Sequence, residues 1–389
     1  MTTAEMRSAE GAGDPLPALI VGAGPAGLAT AACLAQRGVH ALVLEAGPSL
    51  ANSWRHHYDR LHLHTVKQQS QLPGFPFAKD LPRYPSRADM VAYLEAYAAR
   101  FGVEPRTGEG VRRISASEGG FAVESARAAY RARAVVIAAG LNRVANPERL
   151  PGQERFRGTL VHSAAYRNGD AFAGQRVLVV GAGNTGAEIA LDLAERGAKP
   201  TIALRTPVNV VPRDFLGMPT QLTSIRMRWA PLKLADAIGR LVSRLAFGNL
   251  ARHGFARPEL GPLSAIKLRR RIPLIDVGTI AAIKRGEIAV RTAVERFTET
   301  GAAFADGSAA EFDAVVLATG YRPELRDFLA VPGVLDDDGY PRDWAGGGAC
   351  PNLFFVGYTQ PATGLLREIA IEAQAVASAI APASGSARS

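Results

Sequence analysis

A glycine-rich motif occurs twice in this 389-residue chain, about 160 residues apart. The first copy is LIVGAGPAGLATAACLAQRG at residues 19–38, and the second is LVVGAGNTGAEIALDLAERG at residues 178–197. In each copy Gly-x-Gly-x-x-Gly follows a short apolar stretch and opens a helix-like stretch, the context in which this motif binds a dinucleotide. The two copies predict an α/β fold with two Rossmann-like dinucleotide-binding domains, the second inserted into the first.

The first motif has an apolar stretch before it, a helix-like stretch after it and an acid further on. Gly22 permits the tight turn, Gly24 lets the backbone approach a pyrophosphate, and Gly27 lets helix and strand pack closely. The helix N-terminus then receives the phosphate charge. Glu45, about 20 residues on, ends the next apolar stretch, where a carboxylate accepts the ribose hydroxyls. The predicted cofactor contacts here are Gly22, Gly24, Pro25, Ala26, Gly27 and Glu45.

The second motif differs from the first at the end of its second strand. That strand ends in Leu204-Arg205-Thr206, without an acid. An acid would repel a 2′-phosphate whereas an arginine pairs with one, so we predict NADPH rather than NADH. The alternative is that Arg205 is merely exposed and that another residue decides. The predicted contacts here are Gly181, Gly183, Asn184, Thr185, Gly186, Arg205 and Thr206.

Two further strand ends carry glycine. In Ala138-Ala-Gly140 and Ala318-Thr-Gly320 the glycine either lets the chain turn beside a cofactor or simply ends a strand. Helix-like segments are predicted at 27–37, 87–101 and 185–196. The predicted organisation is a disordered leader at 1–15, a first domain at 16–150, a second at 151–318 with a helical insertion at about 207–275, the rest of the first domain at 319–380, and a disordered tail at 381–389.

The chain is basic, with a formal net charge of +9. Such a surface attracts anions, or it is simply a solvated basic surface. No basic run is interleaved with aromatic residues, so nucleic acid is not a predicted partner. Residues 18–35 have about the length of a membrane span, but glycine and proline break the run, so no transmembrane segment is predicted. Contact of residues 225–250 with a membrane surface stays open, and the expected location is the cytoplasm.

The only two cysteines are Cys33 and Cys350. They are far apart in the sequence and form no CxxC pair, which argues against a disulfide framework and against a redox dithiol. Cys33 lies in an apolar helical stretch and is predicted to be a small core residue. The adjacent His56 and His57 lack a cysteine or carboxylate set at metal-ligand spacing, so no metal is predicted.

A third pattern lies just ahead of the second motif. Phe156-Arg-Gly158-Thr-Leu-Val-His162-Ser-Ala-Ala-Tyr166 matches FxGxxxHxxxY, which is typical of flavin-containing monooxygenases. The chain resembles class B flavin-dependent monooxygenases, and especially the YUCCA-type branch that forms indole-3-acetate from indole-3-pyruvate. The likeness covers about residues 18–380 and includes YDRLHLH at 58–64, VPRDFLG at 211–217 and LATGY at 317–321. It implies FAD at the first motif, NADPH at the second, and oxygen transfer through a flavin C4a-(hydro)peroxide.

The resemblance leaves the substrate open. A 2-oxo acid of the indole-3-pyruvate type is favoured, and N- or S-oxygenation of a small amine or sulfide is the alternative. An NADPH:acceptor flavin reductase is a further reading. Arg167-Asn168 after the third pattern departs from Baeyer–Villiger enzymes. O2 and a small molecule are the implied partners, and a homodimer is a family expectation.

The resemblance also suggests residues near the flavin. His64 is expected to hydrogen-bond the flavin edge, the alternative being a structural histidine. Lys67 is expected to anchor a flavin or substrate anion, or else to be a surface lysine, and Asn142 is expected to reach a cofactor. His162 and Tyr166 are expected to be structural or to lie near NADP. The catalytic candidates are therefore His64, Lys67 and Asn142, and the further cofactor contacts are Trp54, His64, Gly140, Gly320 and Gly357.

Overall fold

The computed structural model describes residues 14–146, 148–346, 348 and 350–381. Of the predicted leader, residues 1–13 lie outside this range, as does the predicted tail apart from Ala381. The described residues form two α/β units, each built on a sheet that contains parallel strands. We call them the first unit and the second unit in chain order.

The sheet of the first unit collects strands from both ends of the chain. Its strands are β1 (Leu16–Val21), β2 (Ala41–Leu44), β3 (Val111–Ser117), β4 (Gly120–Ser125), β5 (Ala129–Ile137) and β20 (Leu353–Phe355). The order is β2-β1-β5-β4-β3. The nine-residue β5 pairs with β4 through its first half and with β20 through its second, so β20 continues the same edge. Strands β1, β2, β5 and β20 are parallel to one another, and β3 and β4 form an antiparallel extension.

Both faces of this sheet are covered, which explains why its parallel strands are continuously apolar rather than alternating. On one face lie α1 (Pro25–Ala35) and the C-terminal α9 (Leu365–Ile380), which pack on each other. Beside them lies α3 (Arg87–Phe101), whose Ser86 and Asp89 cap each other's backbone in a capping box. The short α2 (Asn52–His56) precedes it. The first helix begins at Pro25 rather than at the predicted residue 27, because proline is well tolerated in the first turn.

The second unit holds a five-stranded parallel sheet. Its strands are β7 (Thr159–His162), β8 (Arg176–Val180), β9 (Lys199–Ala203), β14 (Ala289–Arg291) and β18 (Ala314–Leu317). Their order in the sheet is β14-β9-β8-β18-β7. The helices α4 (Asn184–Glu195) and α8 (Thr279–Lys284) cover one face. The other face is covered by an antiparallel sheet of β15 (Val294–Phe297), β16 (Gly301–Phe304) and β17 (Ala309–Glu311).

The chain crosses between the units twice, and the two crossings pair with each other. The strand β6 (Val144–Ala145) leaves the first unit, β19 (Tyr321–Arg322) returns to it, and they form an antiparallel pair. The second unit is thus inserted into the first, and the predicted fold class is confirmed. We propose these crossings as the domain boundaries, which the sequence analysis put at 150 and 318.

The insertion predicted at 207–275 contains helices as expected, and also short strands that were not predicted. The helices are α5 (Thr220–Arg226), α6 (Leu232–Phe247) and α7 (Pro262–Arg269), and the strands are β10 (Val210–Pro212), β11 (Asp214–Phe215), β12 (Met218–Pro219) and β13 (Leu274–Asp276). Strands of two or three residues are too short to show a period-2 pattern. No helix among the described residues combines the length and apolarity needed to cross a bilayer.

Candidate functional site

A cavity of about 920 Å³ extends from the glycine turn of the first unit to the helices of the insertion. Its floor is formed by the turn at Gly22 to Ala26 and by the strand ends at Glu45 and Gly140. Its walls come from α5, α6 and α7 and from the loop before α9. The lining is mostly apolar, as is usual for sites that enclose an organic cofactor or substrate.

The two glycine turns have nearly the same geometry. Gly22 and Gly181 have φ of +106° and +110°, a region that L-residues with a side chain rarely adopt. A Cβ on Gly27 would lie 1.8 Å from the Gly22 carbonyl oxygen, and one on Gly186 would lie 2.0 Å from the Gly181 carbonyl oxygen. These glycines are therefore required by the fold of each turn, with or without a ligand.

Gly24 and Gly183 are glycines for a different reason. Their φ angles of −84° and −73° suit any residue, and a Cβ on either would meet no protein atom within 4 Å. Among the described glycines, these two alone combine an ordinary backbone with open space. Each stands at the N-cap of its helix, where unpaired backbone N–H groups favour an anion. The empty space is where a pyrophosphate would approach, so both turns fit a dinucleotide.

Glu45 stands where the sequence analysis expected a ribose-binding carboxylate. It lines the cavity, and its two oxygens accept hydrogen bonds from the Ala23 and Gly47 amides, each at 2.8 Å. A carboxylate has about four lone-pair sites, so two remain for ribose hydroxyls. The same contacts tie the acid to the glycine turn and fix its orientation.

His64 lines the cavity, but its environment was not foreseen. Its Nε2 lies 2.5 Å from Oε1 of Glu188, a buried carboxylate on α4 of the second unit. The Tyr58 hydroxyl also donates to Glu188, and burial together with this charge raises the pKa of Tyr58 well above its usual value. A carboxylate only accepts hydrogen bonds, so the contact assigns a proton to Nε2, and in a neutral imidazole Nδ1 is then the acceptor. The pair joins the two units at the cavity wall.

Lys67 does not lie in the cavity. Its side chain is buried, and Nζ donates to the carbonyl oxygens of Ala78, Lys79 and Leu81 at 3.0, 2.8 and 2.5 Å. An ammonium group has three hydrogens, so all of them are used. Lys67 is thus neither the predicted anion anchor nor a surface lysine: it holds the loop at 78–81, and its predicted catalytic role has no support in the geometry.

Other predicted contacts of the first unit do line the cavity: Trp54, Gly140, Asn142 and Gly357. Trp54 is half-buried against the core of the first unit. Asn142 follows Gly140, which has a φ of +85°. The Gly357 amide donates to buried Glu372 on α9 at 2.8 Å, and this carboxylate also accepts from Thr359. Burial raises the pKa of Glu372. The sequence analysis did not predict a role for this residue.

The predicted NADPH residues are arranged around the second turn. Asn184 lines the cavity, and its side-chain amide bonds the Pro273 carbonyl and the Ile275 amide, at 3.2 and 2.7 Å. Thr185 follows it in the first turn of α4. Arg205 and Thr206 lie exposed beyond the end of β9, and Arg205 forms an ion pair with Glu148. Gly320, at the end of β18 with a φ of +87°, does not line the cavity.

Two cavity residues of the insertion were not predicted. The Gln221 side chain accepts from the Val66 amide at 2.9 Å and donates to the Thr363 carbonyl at 2.7 Å, so it fastens α5 to the first unit. The Arg213 guanidinium lies 4.1 Å from the ring of Tyr84, and its buried Nε has no hydrogen-bond partner. This nitrogen forms an ion pair with the Asp214 carboxylate at 3.5 Å. Both residues sit in a segment that the sequence analysis treated only as a helical insertion.

The FxGxxxHxxxY pattern has a structural basis. The ring of Phe156 covers Gly158, where a Cβ would lie 2.6 Å from it. The buried Tyr166 hydroxyl donates to Asp192 on α4 at 2.6 Å. His162 closes β7 with its Nδ1 accepting from the Ala164 amide. These contacts position the edge of the second sheet, in agreement with a structural role for His162 and Tyr166.

The chain is similar to known protein families and solved structures. A family model for pyridine nucleotide-disulphide oxidoreductases matches residues 19–214. An indole-3-pyruvate monooxygenase from Oryza sativa subsp. japonica, YUCCA1, is 43% identical over 354 residues, which is 88% of this chain and 86% of the relative. YUCCA6 of Arabidopsis thaliana is 39% identical over 88% of this chain and 85% of its own length. The chain belongs to the YUCCA-type flavin monooxygenases. A flavin-containing monooxygenase from Stenotrophomonas maltophilia has the same fold, with a TM-score of 0.70 at 25% identity over 94% of this chain and 98% of that one.

This YUCCA-type enzyme uses FAD and NADPH, and it is a monooxygenase acting with O2 on a small organic molecule. It lacks the redox dithiol that the name of the matching family model suggests. Cys33 is buried in the core beneath α9, and burial raises its pKa to about 11, whereas Cys350 packs on the opposite side of the first sheet. In the described part of the chain, no group of three or more His, Cys, Asp or Glu side chains could hold a metal ion.

Proposed function

We propose that this monooxygenase catalyses the oxidative decarboxylation of an aromatic 2-oxo acid of the indole-3-pyruvate type. One 2-oxo acid, O2, NADPH and a proton would give the acid shortened by one carbon, CO2, water and NADP⁺. When bound, reduced FAD supplies the electrons that activate O2. The relatives named as indole-3-pyruvate monooxygenases support this assignment, as does a mostly apolar cavity that Arg213 also lines.

Arg213 is the observation that carries the 2-oxo acid part of the proposal. A guanidinium group recognises a carboxylate through paired hydrogen bonds. The other cavity arginine, Arg143, already donates through Nη1 to two carbonyls and to Asp327. Arg213 forms an ion pair with Asp214 at 3.5 Å, its Nε–H makes no hydrogen bond, and its guanidinium lies over the ring of Tyr84. We infer that Arg213 binds the substrate carboxylate and that the apolar wall holds the aromatic ring.

We propose that Glu188 orients His64 so that its ring can hydrogen-bond a ligand in the cavity. The 2.5 Å contact fixes the ring and its tautomer, so that Nδ1 is the nitrogen left to accept a hydrogen bond from a cavity ligand. Because Glu188 belongs to the second unit, this orientation also depends on how the two units are joined. A histidine held in this way can hydrogen-bond a polar group of a ligand in the cavity, while the apolar walls exclude water.

The first test is product analysis with the purified FAD-containing enzyme and isotopically labelled O2. Indole-3-pyruvate should give indole-3-acetate carrying one labelled oxygen atom, with one CO2 released for each NADPH consumed. A thioether and trimethylamine should give little product. Oxidation of the thioether in preference to the 2-oxo acid would contradict the proposed substrate. NADPH consumption without labelled product from any substrate, but with rapid reduction of a quinone, would favour a reductase.

Arg213→Gln separates substrate binding from cofactor binding. We expect KM for indole-3-pyruvate to rise roughly 10- to 100-fold, the effect of losing a hydrogen bond to a charged group. Flavin reduction by NADPH should change less than about twofold. Arg83→Gln is the matched control, since Arg83 pairs with the same Asp214 but is exposed and lies outside the cavity lining. A weakened NADPH interaction with unchanged substrate KM would assign Arg213 to the cofactor and refute this role.

A double-variant comparison tests the His64–Glu188 pair. His64→Ala and Glu188→Gln should each lower the yield of product per NADPH and release hydrogen peroxide. Because the two side chains act as one unit, the double variant should be no worse than the poorer single variant. A full yield of product per NADPH in Glu188→Gln, with a lowered yield in His64→Ala, would show that His64 does not depend on Glu188.

A cytoplasmic location and a homodimer stay predictions.

A further inference from the structure

The positive charge of this protein is concentrated in the insertion. Residues 216–272, which we call the basic segment, hold 11 of the 45 Lys and Arg residues but only 2 of the 36 Asp and Glu residues. The net charge of the basic segment is therefore +9, which equals the net charge of the whole chain. The rest of the protein is balanced, with 34 residues of each sign. The charge is thus a local patch and not a general property of the surface.

The same segment carries most of the exposed apolar surface. In the described part of the chain, ten large hydrophobic side chains are exposed, and eight of them belong to the basic segment. They are Leu216, Met218, Trp229, Leu234, Leu241, Leu245, Leu268 and Ile272. Single exposed apolar residues are ordinary, but such a concentration marks an interaction surface.

Helix α6 shows how charge and apolarity are combined. Leu234, Leu241 and Leu245 are 53%, 56% and 65% exposed, and their spacing of seven and four residues puts them on one face of the helix. Lys233 and Arg244 are exposed beside this row. Ile238 and Val242 lie at the adjoining edge of the same apolar face, and they line the cavity. The row of Leu234, Leu241 and Leu245 is thus left more than half exposed by the described part of the protein.

The cavity rim belongs to the same segment. Leu216, Met218 and Ile272 line the cavity and are 91%, 42% and 47% exposed. Trp229, 83% exposed with Arg228 over its ring, has the amphipathic character favoured at a lipid–water boundary. An apolar stripe flanked by basic side chains is the pattern of helices that lie in the surface of a bilayer.

We propose that the basic segment docks the enzyme on an anionic lipid bilayer, with the leucine row of α6 in the acyl boundary and the basic side chains at the headgroups. The exposed residues of the cavity rim would then lie at the membrane surface. A second copy of this chain fits less well, because a two-fold interface would face two +9 patches. Nucleic acid fits less well because seven of the eight exposed side chains are aliphatic, whereas bases stack on aromatic rings.

Vesicle co-sedimentation of the full-length FAD-containing enzyme tests this proposal. We expect binding to phosphatidylcholine vesicles that contain phosphatidylglycerol, little binding to pure phosphatidylcholine, and weaker binding at high salt. Lys233→Gln with Arg244→Gln should weaken binding about 25-fold, at about fivefold for each basic residue. Leu241→Ser with Leu245→Ser should weaken it roughly 10-fold or more. None of these four residues lines the cavity, so NADPH oxidation with a soluble substrate should be unchanged.

Matched controls lie outside the basic segment. Ile371→Ser removes an exposed apolar side chain of α9, and Arg112→Gln with Arg113→Gln removes two exposed charges of β3. Both control variants should bind vesicles like the wild type. Absence of binding to anionic vesicles would overturn the proposal. So would self-association without vesicle binding that the leucine variant abolishes, or binding to a DNA oligonucleotide that outcompetes the vesicles.

Discussion

Gly183→Ala is the sharpest test of how the second unit binds its cofactor. The backbone of Gly183 accepts a side chain, and the new methyl group would meet no protein atom within 4 Å. The apoprotein should therefore fold normally, and reduced freedom of the unfolded chain should even add about 0.4–1 kcal/mol of stability. The methyl group would instead occupy the space that the NADPH pyrophosphate needs at the N-terminus of α4.

The cost to binding can be estimated from the contact that is lost. A hydrogen bond to a charged group contributes about 1.5–3 kcal/mol, so displacing the pyrophosphate from one backbone N–H should raise Kd for NADPH roughly 10- to 150-fold. Anaerobic reduction of the bound flavin at increasing NADPH concentrations measures this Kd. The limiting rate of reduction should change far less, because nothing near the flavin is altered.

Two matched variants complete the experiment. Gly24→Ala should show the reverse effect, with lost FAD and an intact fold, because Gly24 has the same open geometry at the first turn. Gly186→Ala should instead destabilise the protein by about 3 kcal/mol or more in urea unfolding, because its methyl group would overlap the Gly181 carbonyl oxygen. An unchanged Kd for NADPH in Gly183→Ala, or loss of FAD in that variant, would refute the reasoning.

Three further predictions concern single side chains. Arg205→Gln should lower the preference for NADPH over NADH, measured as the ratio of steady-state kcat/KM values, about fivefold. This factor corresponds to about 1 kcal/mol for one exposed charge pair. An unchanged ratio would mean that another residue determines the cofactor preference. Tyr166→Phe should lower the free energy of unfolding by about 1–2 kcal/mol through the lost bond to Asp192, while a large rise in Kd for NADPH would contradict a structural role. In a Cys350→Ser variant at about pH 8, Cys33 should react with a thiol reagent only on unfolding, because its pKa of about 11 against a usual 9.0 leaves about 100-fold less thiolate. Rapid labelling of the folded variant would show that Cys33 is accessible.

Several parts of the site could be predicted from the sequence because their cause is local. A tight strand–turn–helix needs glycine at Gly22 and Gly27 whatever surrounds it, and Glu45 follows at the distance set by one helix and one strand. The buried environment of Lys67 was not predictable, because the three carbonyl oxygens that accept its hydrogen bonds lie 11 to 14 residues further along the chain, at 78–81. Glu188 carried a weak signal: an acid four residues from Asp192 on an otherwise apolar helix is expensive to bury unless each has partners.

By itself, the sequence determined the fold class, the two cofactor turns and the family, since each depends on residues that lie close together in the chain. Only the tertiary structure decided that Glu188 holds His64 across the two units, that Arg213 lines the cavity, and that Leu234, Leu241 and Leu245 of α6 are exposed. The physical reason is that α6 has one broad apolar face, and periodicity cannot say how much of that face the protein covers. Burial and pairing are properties of the neighbours that folding brings together, and distant segments supply those neighbours.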